Sequence, residues 1–155
     1  MRIELVVYDF DGVMTNNRVL VLENGTEGVF VNRSDGLAVS RFREMKIKQI
    51  ILSTETNPVV RARAKKLKLP IIHSAADKKK LLLQYLNKHK INPEQVVYLG
   101  NDINDLDAMR SVGWPMAPAD AHSSIKKIAR KVFKARGGEG VVRELLDLIL
   151  EGDVK

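Results

Sequence analysis

Apolar runs and patterns of helical period alternate along the 155-residue chain. The first run, IELVVYD at residues 3–9, is mostly apolar and rich in β-branched side chains, which is typical of a strand buried on both faces. Similar runs predict strands at residues 48–53, 69–74, 95–100 and 113–118, with a sixth, edge strand at KVF, residues 131–133. Strand–helix alternation with short connections predicts an α/β fold, a parallel sheet with helices on both faces.

The segments between these strands carry helix signals. Ser34 is predicted to cap a helix at about 35–46, whose buried face would include Leu37 and Phe42. Asn57 followed by Pro58 predicts the start of a helix at 58–67. The remaining helices are predicted at residues 77–89, 103–112, 122–129 and 140–151.

Residues 18–32 depart from this alternation. Two alternating apolar runs flank Asn24-Gly25, which predicts a β-hairpin with a connection longer than two residues. The other connections between strands are too short to hold a further domain. We therefore expect residues 1–155 to form one domain, with the hairpin as a flap and no cap domain.

Polar side chains follow several of the predicted strands, at the point where each strand ends. In a parallel sheet these ends share one rim, where ligands bind. The candidate rim residues are Asp9, Asp11, Ser53, Thr54, Asn101, Asp102 and Asp105, together with Lys78 at the start of a helix. Clustered carboxylates repel each other and so raise each other's pKa. A hard divalent cation such as Mg²⁺ offsets that repulsion. With a lysine and a hydroxyl added, the set suits a tetrahedral phosphate dianion, and Asp9 is placed to be a nucleophile.

The charge of the chain favours an anionic partner. The net charge is +7, and the sequence pI is about 9.7. Nucleic acid is disfavoured because aromatic residues make up only 5% of the chain and do not interleave a basic stretch. A lysine-rich solvated surface would give the same charge, so a small phosphorylated or carboxylated substrate is one of two open interpretations.

Other function classes are excluded by composition. The chain has no cysteine, which rules out disulfides and thiolate metal sites. No apolar run approaches the roughly 20 residues of a membrane span, and the first residues lack a signal-peptide layout. We expect a cytoplasmic protein that binds neither a membrane nor nucleic acid.

Four stretches in order resemble the motifs of the haloacid dehalogenase (HAD) phosphotransferases, a family with a Rossmann-like fold. They are VVYDFDGVMT at 6–15, IILST at 50–54, Lys78, and GNDIND at 100–105. The resemblance implies that Asp9 is the nucleophile and Asp11 the general acid–base. It also implies that Ser53, Thr54 and Lys78 hold phosphoryl oxygens, and that Mg²⁺ is held or oriented by Asp9, Asp11, Asn101, Asp102 and Asp105.

Asn101 departs from the family pattern, since family members usually carry aspartate there. An amide offers one neutral oxygen, which predicts a working site with weaker Mg²⁺ affinity. The alternative is a degenerate site.

Two further stretches narrow the resemblance. ARGGEGVVREL at 135–145 and LSTETNPVVRARAKKLKLP at 52–70 are similar to the capless phosphatases of octulosonate (KDO) and nonulosonate (sialic acid, KDN) phosphates. This resemblance implies a homotetramer in which a neighbouring subunit helps to close each site. Glu55, Arg63, Lys66 and Arg143 are candidates for binding the sugar acid, although the helix that carries Arg63 and Lys66, taken alone, is better explained as a solvated basic face.

The stretch at 52–70 is similar especially to the members acting on nonulosonates, including the phosphatase-like domains attached to acylneuraminate cytidylyltransferases. The competing hypothesis is therefore a weakly active or inactive oligomerisation module associated with such an enzyme.

Overall fold

The structure, a computed structural model, describes residues 3–152. Its strands are β1 Leu5–Tyr8, β2 Thr15–Val21, β3 Glu27–Val31, β4 Lys48–Leu52, β5 Ile71–Ile72, β6 Val96–Leu99, β7 Trp114–Ala117 and β8 Lys131–Val132. Six of them form one parallel sheet in the order β5-β4-β1-β6-β7-β8, so β1 lies at the centre. This confirms the predicted α/β fold with its parallel sheet and edge strand.

Helices cover both faces of the sheet. They are α1 Arg33–Glu44, α2 Pro58–Leu67, α3 Lys78–His89, α4 Leu106–Met109, α5 Ser123–Ile128 and α6 Val141–Glu151. On one face α1, α2 and α6 bury side chains such as Phe42, Val60 and Leu145. On the other face α3, α4 and α5 bury Leu82, Met109 and Ile125. The two layers leave the carboxyl ends of the strands as the open rim of the molecule.

The start and the buried face of α1 differ from the prediction. Asn32, not Ser34, caps the helix, because the Asn32 side chain accepts a hydrogen bond from the backbone N–H of Ser34 at 2.8 Å. The buried positions follow the spacing of Asp35, Ala38, Val39 and Phe42. Leu37 falls between those positions and is 66% exposed, so its prediction as a core residue was wrong.

Two predicted elements are shorter in the structure. The strand predicted at 69–74 pairs only at Ile71–Ile72, because the chain turns at Ser74 with a φ of 57°. The helix predicted at 103–112 is a 3₁₀ turn, Ile103–Asp105, followed by the single turn of α4. It ends early because the chain turns towards β7, where the Gly113 N–H bonds to the Pro93 carbonyl at 2.9 Å.

The hairpin is present and begins slightly before the predicted range. Strands β2 and β3 pair antiparallel as a separate two-stranded sheet. Its apolar side chains are largely uncovered: Val21 is 63% exposed and Phe30 is 69% exposed. Within residues 3–152 there is no separate cap domain, and no helix in that range is long and apolar enough to cross a membrane.

Candidate active site

A wide turn after β1 carries the proposed nucleophile. The turn, Phe10–Met14, closes with a bond from the Thr15 N–H to the Phe10 carbonyl. Gly12 sits inside it with a φ of 84°, a region that residues with a Cβ rarely adopt. The Thr15 hydroxyl accepts from the Gly12 N–H at 3.2 Å and the Asn17 N–H at 3.1 Å. The chain around Asp9 and Asp11 is therefore fixed by its own backbone bonds.

A loop from the far end of the chain packs directly on this turn. A Cβ added to Gly137 would lie 2.1 Å from the Gly12 carbonyl oxygen, so only glycine permits this approach. The Gly138 N–H donates to the Val13 carbonyl at 2.9 Å. The Gly-Gly pair of the 135–145 stretch thus supports the catalytic turn.

Lys78 joins two carboxylates beneath the rim. Its Nζ lies 2.7 Å from Asp9 Oδ1 and 2.7 Å from Asp105 Oδ1, and its side chain is 1% exposed. Burial works against the charged ammonium, but Asp9 and Asp105 outweigh it and raise the pKa of Lys78. Burial first, and then Asp105, raises the pKa of Asp9 from 3.8 to about 8, although Lys78 acts in the opposite direction. Two buried carboxylates share one lysine, so a further cation beside Asp9 would be stabilised.

Asp105 lies behind the rim and organises it. Besides Lys78, its carboxylate accepts hydrogen bonds from the Tyr98 hydroxyl at 2.9 Å and from the Asn101 N–H at 3.0 Å. It is fully buried. Its oxygens are occupied by protein donors, which suits the orienting part of its predicted role; direct metal ligation by Asp105 stays a prediction.

Asp11 is differently placed from Asp9. It is partly exposed and lines the rim cavity, and Thr15 Oγ1 lies 3.5 Å from its Oδ1. Burial, followed by the nearby charge of Glu55, raises the pKa of Asp11 above its ordinary value. A carboxyl that holds its proton more tightly than usual, and that reaches a cavity, is suited to general acid–base work.

The rim cavity contains the residues that would hold Mg²⁺. It has a volume of about 280 Å³ and is lined by Asp9, Asp11, Asn17, Thr54, Asn101, Asp102, Ile103 and Asn104. Across residues 3–152 no three Asp, Glu, His or Cys side chains converge as a ready-made metal cluster. The oxygens near Asp9 are instead a mixed set of carboxylate, backbone carbonyl and amide, all of which are ligands that Mg²⁺ accepts.

The Asn101 amide touches two of these oxygens. The end of the amide that faces them lies 3.0 Å from Asp9 Oδ2 and 2.9 Å from the Asp11 carbonyl oxygen. Without a cation the amide nitrogen is the favoured end at this position, whereas a cation bound among these oxygens would favour the amide oxygen.

The phosphate-binding candidates lie at the end of β4. Ser53 is 1% exposed, and its hydroxyl accepts from the Glu55 N–H at 3.1 Å. Thr54 lines the rim cavity. The Glu55 carboxylate accepts from the Thr56 and Asn57 N–H groups at 2.7 and 2.9 Å, which orders the loop before α2. The structure therefore brings Ser53, Thr54 and Lys78 to the same rim as Asp9; their contact with phosphate stays a prediction.

None of the four predicted sugar-acid residues, Glu55, Arg63, Lys66 and Arg143, lines the rim cavity of its own chain. Arg63 and Lys66 line a groove of about 610 Å³ between α1 and α2. The Arg63 guanidinium donates to the Asn32 carbonyl at 3.0 Å. Arg143 lies on α6, where its Nε is 3.1 Å from Asp147 Oδ1. The contact of Arg63, Lys66 and Arg143 with a substrate stays a prediction.

Some supporting residues had no assigned role in the sequence. Thr15 and Asn17 shape the catalytic turn, and Tyr98 donates to Asp105. A φ of 60° at Asn17 marks a turn that the Asn16-Asn17 pair could have indicated. The sequence did not indicate the role of Tyr98, because its neighbours are those of an ordinary buried strand.

Comparison with known proteins decides the family. The model of haloacid dehalogenase-like hydrolases matches residues 37–145. The chain belongs to the haloacid dehalogenase-like hydrolases. It is 32% identical over 149 residues to the 3-deoxy-D-manno-octulosonate 8-phosphate phosphatase KdsC of Escherichia coli strain K12, covering 96% of this chain and 79% of that protein.

Solved structures of HAD proteins agree over nearly the whole chain. A HAD family hydrolase from Streptomyces avermitilis is 46% identical, with a TM-score of 0.94 over 97% of this chain and 87% of that chain. The 3-deoxy-D-manno-octulosonate 8-phosphate phosphatase of Moraxella catarrhalis, solved with magnesium, phosphate and KDO, is 28% identical. The match covers 96% of this chain and 86% of the Moraxella chain, with a TM-score of 0.92. The chain is thus a HAD phosphatase, and one of these similar phosphatases binds magnesium.

Proposed function

We propose that this HAD phosphatase hydrolyses the phosphate monoester of a 2-keto-3-deoxy sugar acid through an aspartyl phosphate. The observation that carries the proposal is the pairing of a buried Asp9, held by Lys78, with a more exposed Asp11 in one small cavity. An Asp9 oxygen attacks phosphorus while the bond from phosphorus to the sugar oxygen breaks, and Asp11 gives that oxygen its proton. Asp11 then takes a proton from water, whose oxygen attacks phosphorus and releases inorganic phosphate and the Asp9 carboxylate.

We place Mg²⁺ among the Asp9 carboxylate, the Asp11 carbonyl, Asn101 and Asp102, oriented by Asp105. When bound there, Mg²⁺ offsets the negative charge of the phosphoryl group. Within the chain, Lys78 supplies the second positive charge, and Ser53 and Thr54 supply hydroxyl groups for phosphoryl oxygens. This placement is supported by the burial of Asp9 and by the nearby charge of Asp105, which together raise the pKa of Asp9 to about 8, because a cation beside Asp9 would favour its charged form.

For the substrate, we propose KDO 8-phosphate first and a nine-carbon nonulosonate 9-phosphate, such as that of KDN or sialic acid, as the second candidate. The KdsC relatives support the eight-carbon acid. Glu55 is proposed to accept hydrogen bonds from sugar hydroxyls near the rim. The substrate carboxylate is proposed to meet Arg63 and Lys66 of a neighbouring subunit, with Arg143 at the same carboxylate or at a subunit contact.

A homotetramer with shared sites would explain the exposed apolar hairpin. Val19, Leu20, Val21 and Phe30 are each half or more exposed, a patch that a subunit interface would cover. We also propose that the enzyme is cytoplasmic, where sugar phosphates are made. Native mass measurement at micromolar concentration tests the assembly, and a monomer would remove the shared-site argument.

The experiment that tests the activity is a phosphate-release assay on KDO 8-phosphate, KDN 9-phosphate and sialic acid 9-phosphate with millimolar Mg²⁺. We expect turnover by the wild type and none by Asp9→Asn with an unchanged circular dichroism spectrum. The competing hypothesis, an inactive module associated with a cytidylyltransferase, predicts no turnover on the whole panel and no Mg²⁺ binding.

A further inference from the structure

Gly12, inside the catalytic turn, is in close contact with two other segments of the chain. A Cβ on Gly137 would lie 2.1 Å from the Gly12 carbonyl oxygen, and a Cβ on Gly12 would lie 2.6 Å from Asn101 Cγ. Neither approach leaves space for even a methyl group. The position of the catalytic turn therefore depends on where Gly137 and Asn101 are held.

Residues 118–122, which connect β7 to α5, bond to both of these segments. The Asp120 carboxylate accepts a hydrogen bond from the Gly137 N–H at 2.9 Å through its Oδ1. Two residues further on, the His122 N–H donates to the Asn101 carbonyl at 2.8 Å. One short loop thus joins the segment that packs on the catalytic turn to the end of β6.

We propose that Asp120 is a positioning residue for phosphoryl transfer: its bond to Gly137 keeps that glycine against the catalytic turn and so keeps the turn aligned with the end of β6. We call residues 118–122 the clamp loop. Asp120 is not among the residues that line the rim cavity, so it acts through Gly137 and not on the substrate. The inference rests on the proposed roles of Asp9 and Asp11 in this turn.

Two other bonds of this region hold the chain before Gly137. The Ala119 N–H donates to the Ala135 carbonyl at 2.9 Å, and the Glu144 carboxylate accepts from the Ala135 N–H at 2.8 Å. Gly137 is buried, and the bond from its N–H to Asp120 is one that a single side-chain substitution removes. Asp120 is therefore the residue at which the clamp can be opened without changing the backbone of either loop.

Asp120 has two neighbours that could explain an effect of its replacement. Its Oδ1 bonds to Gly137, while its Oδ2 lies 3.6 Å from Nε of Arg136, whose side chain is 65% exposed. Ion pairs as exposed as this one contribute little to stability. The clamp therefore requires an acceptor oxygen at the position of Oδ1 and not a negative charge. Asparagine supplies such an oxygen in the same place, whereas glutamate keeps the charge but carries its oxygens one carbon further out.

The effect of opening the clamp should appear in the chemical step. Catalytic groups that are misplaced by about 1 Å can lower a rate by about 100-fold. Ser53 follows β4 and Lys78 begins α3, so other parts of the chain position these two candidate phosphate ligands. We therefore expect kcat to fall by a larger factor than KM rises.

The kinetic test compares Asp120→Asn, Asp120→Glu and Asp120→Ala in phosphate release from KDO 8-phosphate, with Asp107→Ala as the matched control. Asp107 is an exposed carboxylate on α4 that lies 3.9 Å from Arg110. We expect Asp120→Asn and Asp107→Ala to keep at least about half of the wild-type kcat. Asp120→Glu and Asp120→Ala should lose roughly tenfold or more in kcat, with KM changed less than about threefold.

The order of the two conservative variants decides between the two explanations. The clamp predicts a higher kcat for Asp120→Asn than for Asp120→Glu, because asparagine keeps the acceptor in place. An effect of the negative charge predicts the reverse order. A kcat for Asp120→Glu equal to or above that of Asp120→Asn would overturn the proposal, and this comparison does not require the alanine variant to fold.

Hydrogen exchange of the ¹⁵N-labelled full chain tests the clamp without turnover. The Gly138 N–H donates to the Val13 carbonyl at 2.9 Å, a bond that joins the clamped segment to the catalytic turn. In Asp120→Glu this amide proton should exchange about tenfold faster than in Asp107→Ala, the change expected when the stabilisation from one hydrogen bond is lost. The Asp9 N–H, which bonds to the neighbouring strand, should exchange at the same rate in both variants.

The two measurements separate the clamp from the proposed function. Equal exchange of the Gly138 amide proton in Asp120→Glu and Asp107→Ala would refute the clamp, even in a protein with full turnover. A wild type that releases no phosphate would refute the proposed function, whereas faster Gly138 exchange in Asp120→Glu would still support the clamp.

Discussion

Replacing Lys78 by methionine isolates the electrostatic core of the site. Methionine keeps the length and the apolar part of the side chain but removes the charge that Asp9 and Asp105 share at 2.7 Å each. Breaking a buried ion pair by removing one partner costs about 3–5 kcal/mol, because the remaining charge is left uncompensated. Here two carboxylates remain, so we expect the upper part of that range.

The assay is urea unfolding in EDTA, with Lys79→Met as the control. Lys79 is the neighbouring residue on α3 and is exposed, so its loss should change stability little. With a urea dependence of about 2 kcal/mol per molar, the Lys78→Met midpoint should fall by roughly 2 M. Equal midpoints for the two variants would refute the reasoning.

The pH dependence of stability gives a second test of the Lys78→Met prediction. The pKa of Asp9 is raised to about 8, above its ordinary value of 3.8, so the folded protein holds the Asp9 proton more tightly than the unfolded chain does. Protonation of Asp9 therefore stabilises the folded state between these two pKa values. This stabilisation is lost as pH rises towards 8. The stability lost in Lys78→Met, relative to Lys79→Met, should accordingly be smaller at pH 5.5 than at pH 8. A deficit that grows on acidification would contradict the assignment.

Two further predictions concern the supports of the site. Gly137→Ala should lower kcat strongly, because its Cβ would lie 2.1 Å from the Gly12 carbonyl oxygen, whereas Gly28→Ala meets nothing within 4 Å and should retain full turnover. Asp35 accepts a hydrogen bond from the Arg143 N–H at 3.1 Å, and burial raises its pKa from 3.8 to about 6. The wild type should therefore lose stability relative to Asp35→Asn as pH rises from about 4 to 6 in urea unfolding, and a constant difference would contradict this.

Local patterns in the sequence were sufficient for the sheet and for the order of the rim motifs. The run at 3–9 is apolar at every position that the central strand buries, so its location could be predicted without any partner. Asp9, Ser53 and Asn101 follow strands that are adjacent in the sheet, and parallel topology alone brings their ends together.

Partners distant in sequence could not be predicted in this way. Asp35 accepts hydrogen bonds from the N-terminus of α6, where Gly140 has no side chain to cap the helix. The sequence around Asp35 does not indicate the start of α6 as its partner, and the reverse also holds. The spacing of residues predicts the structure of one element but not which elements contact each other. The outward position of Leu37 and the groove around Arg63 likewise follow from how α1 and α2 pack, which the helical period of each does not determine.

The close approach of Gly137 to Gly12 joins a loop late in the chain to the turn that follows Asp9. During synthesis, Asp9 leaves the ribosome long before the loop that holds its turn has been made. A fragment ending before residue 137 would lack both the backbone bond to Val13 and the whole of α6. Chains that terminate before residue 137 would therefore lack activity, and phosphatase activity would report that translation had passed this loop.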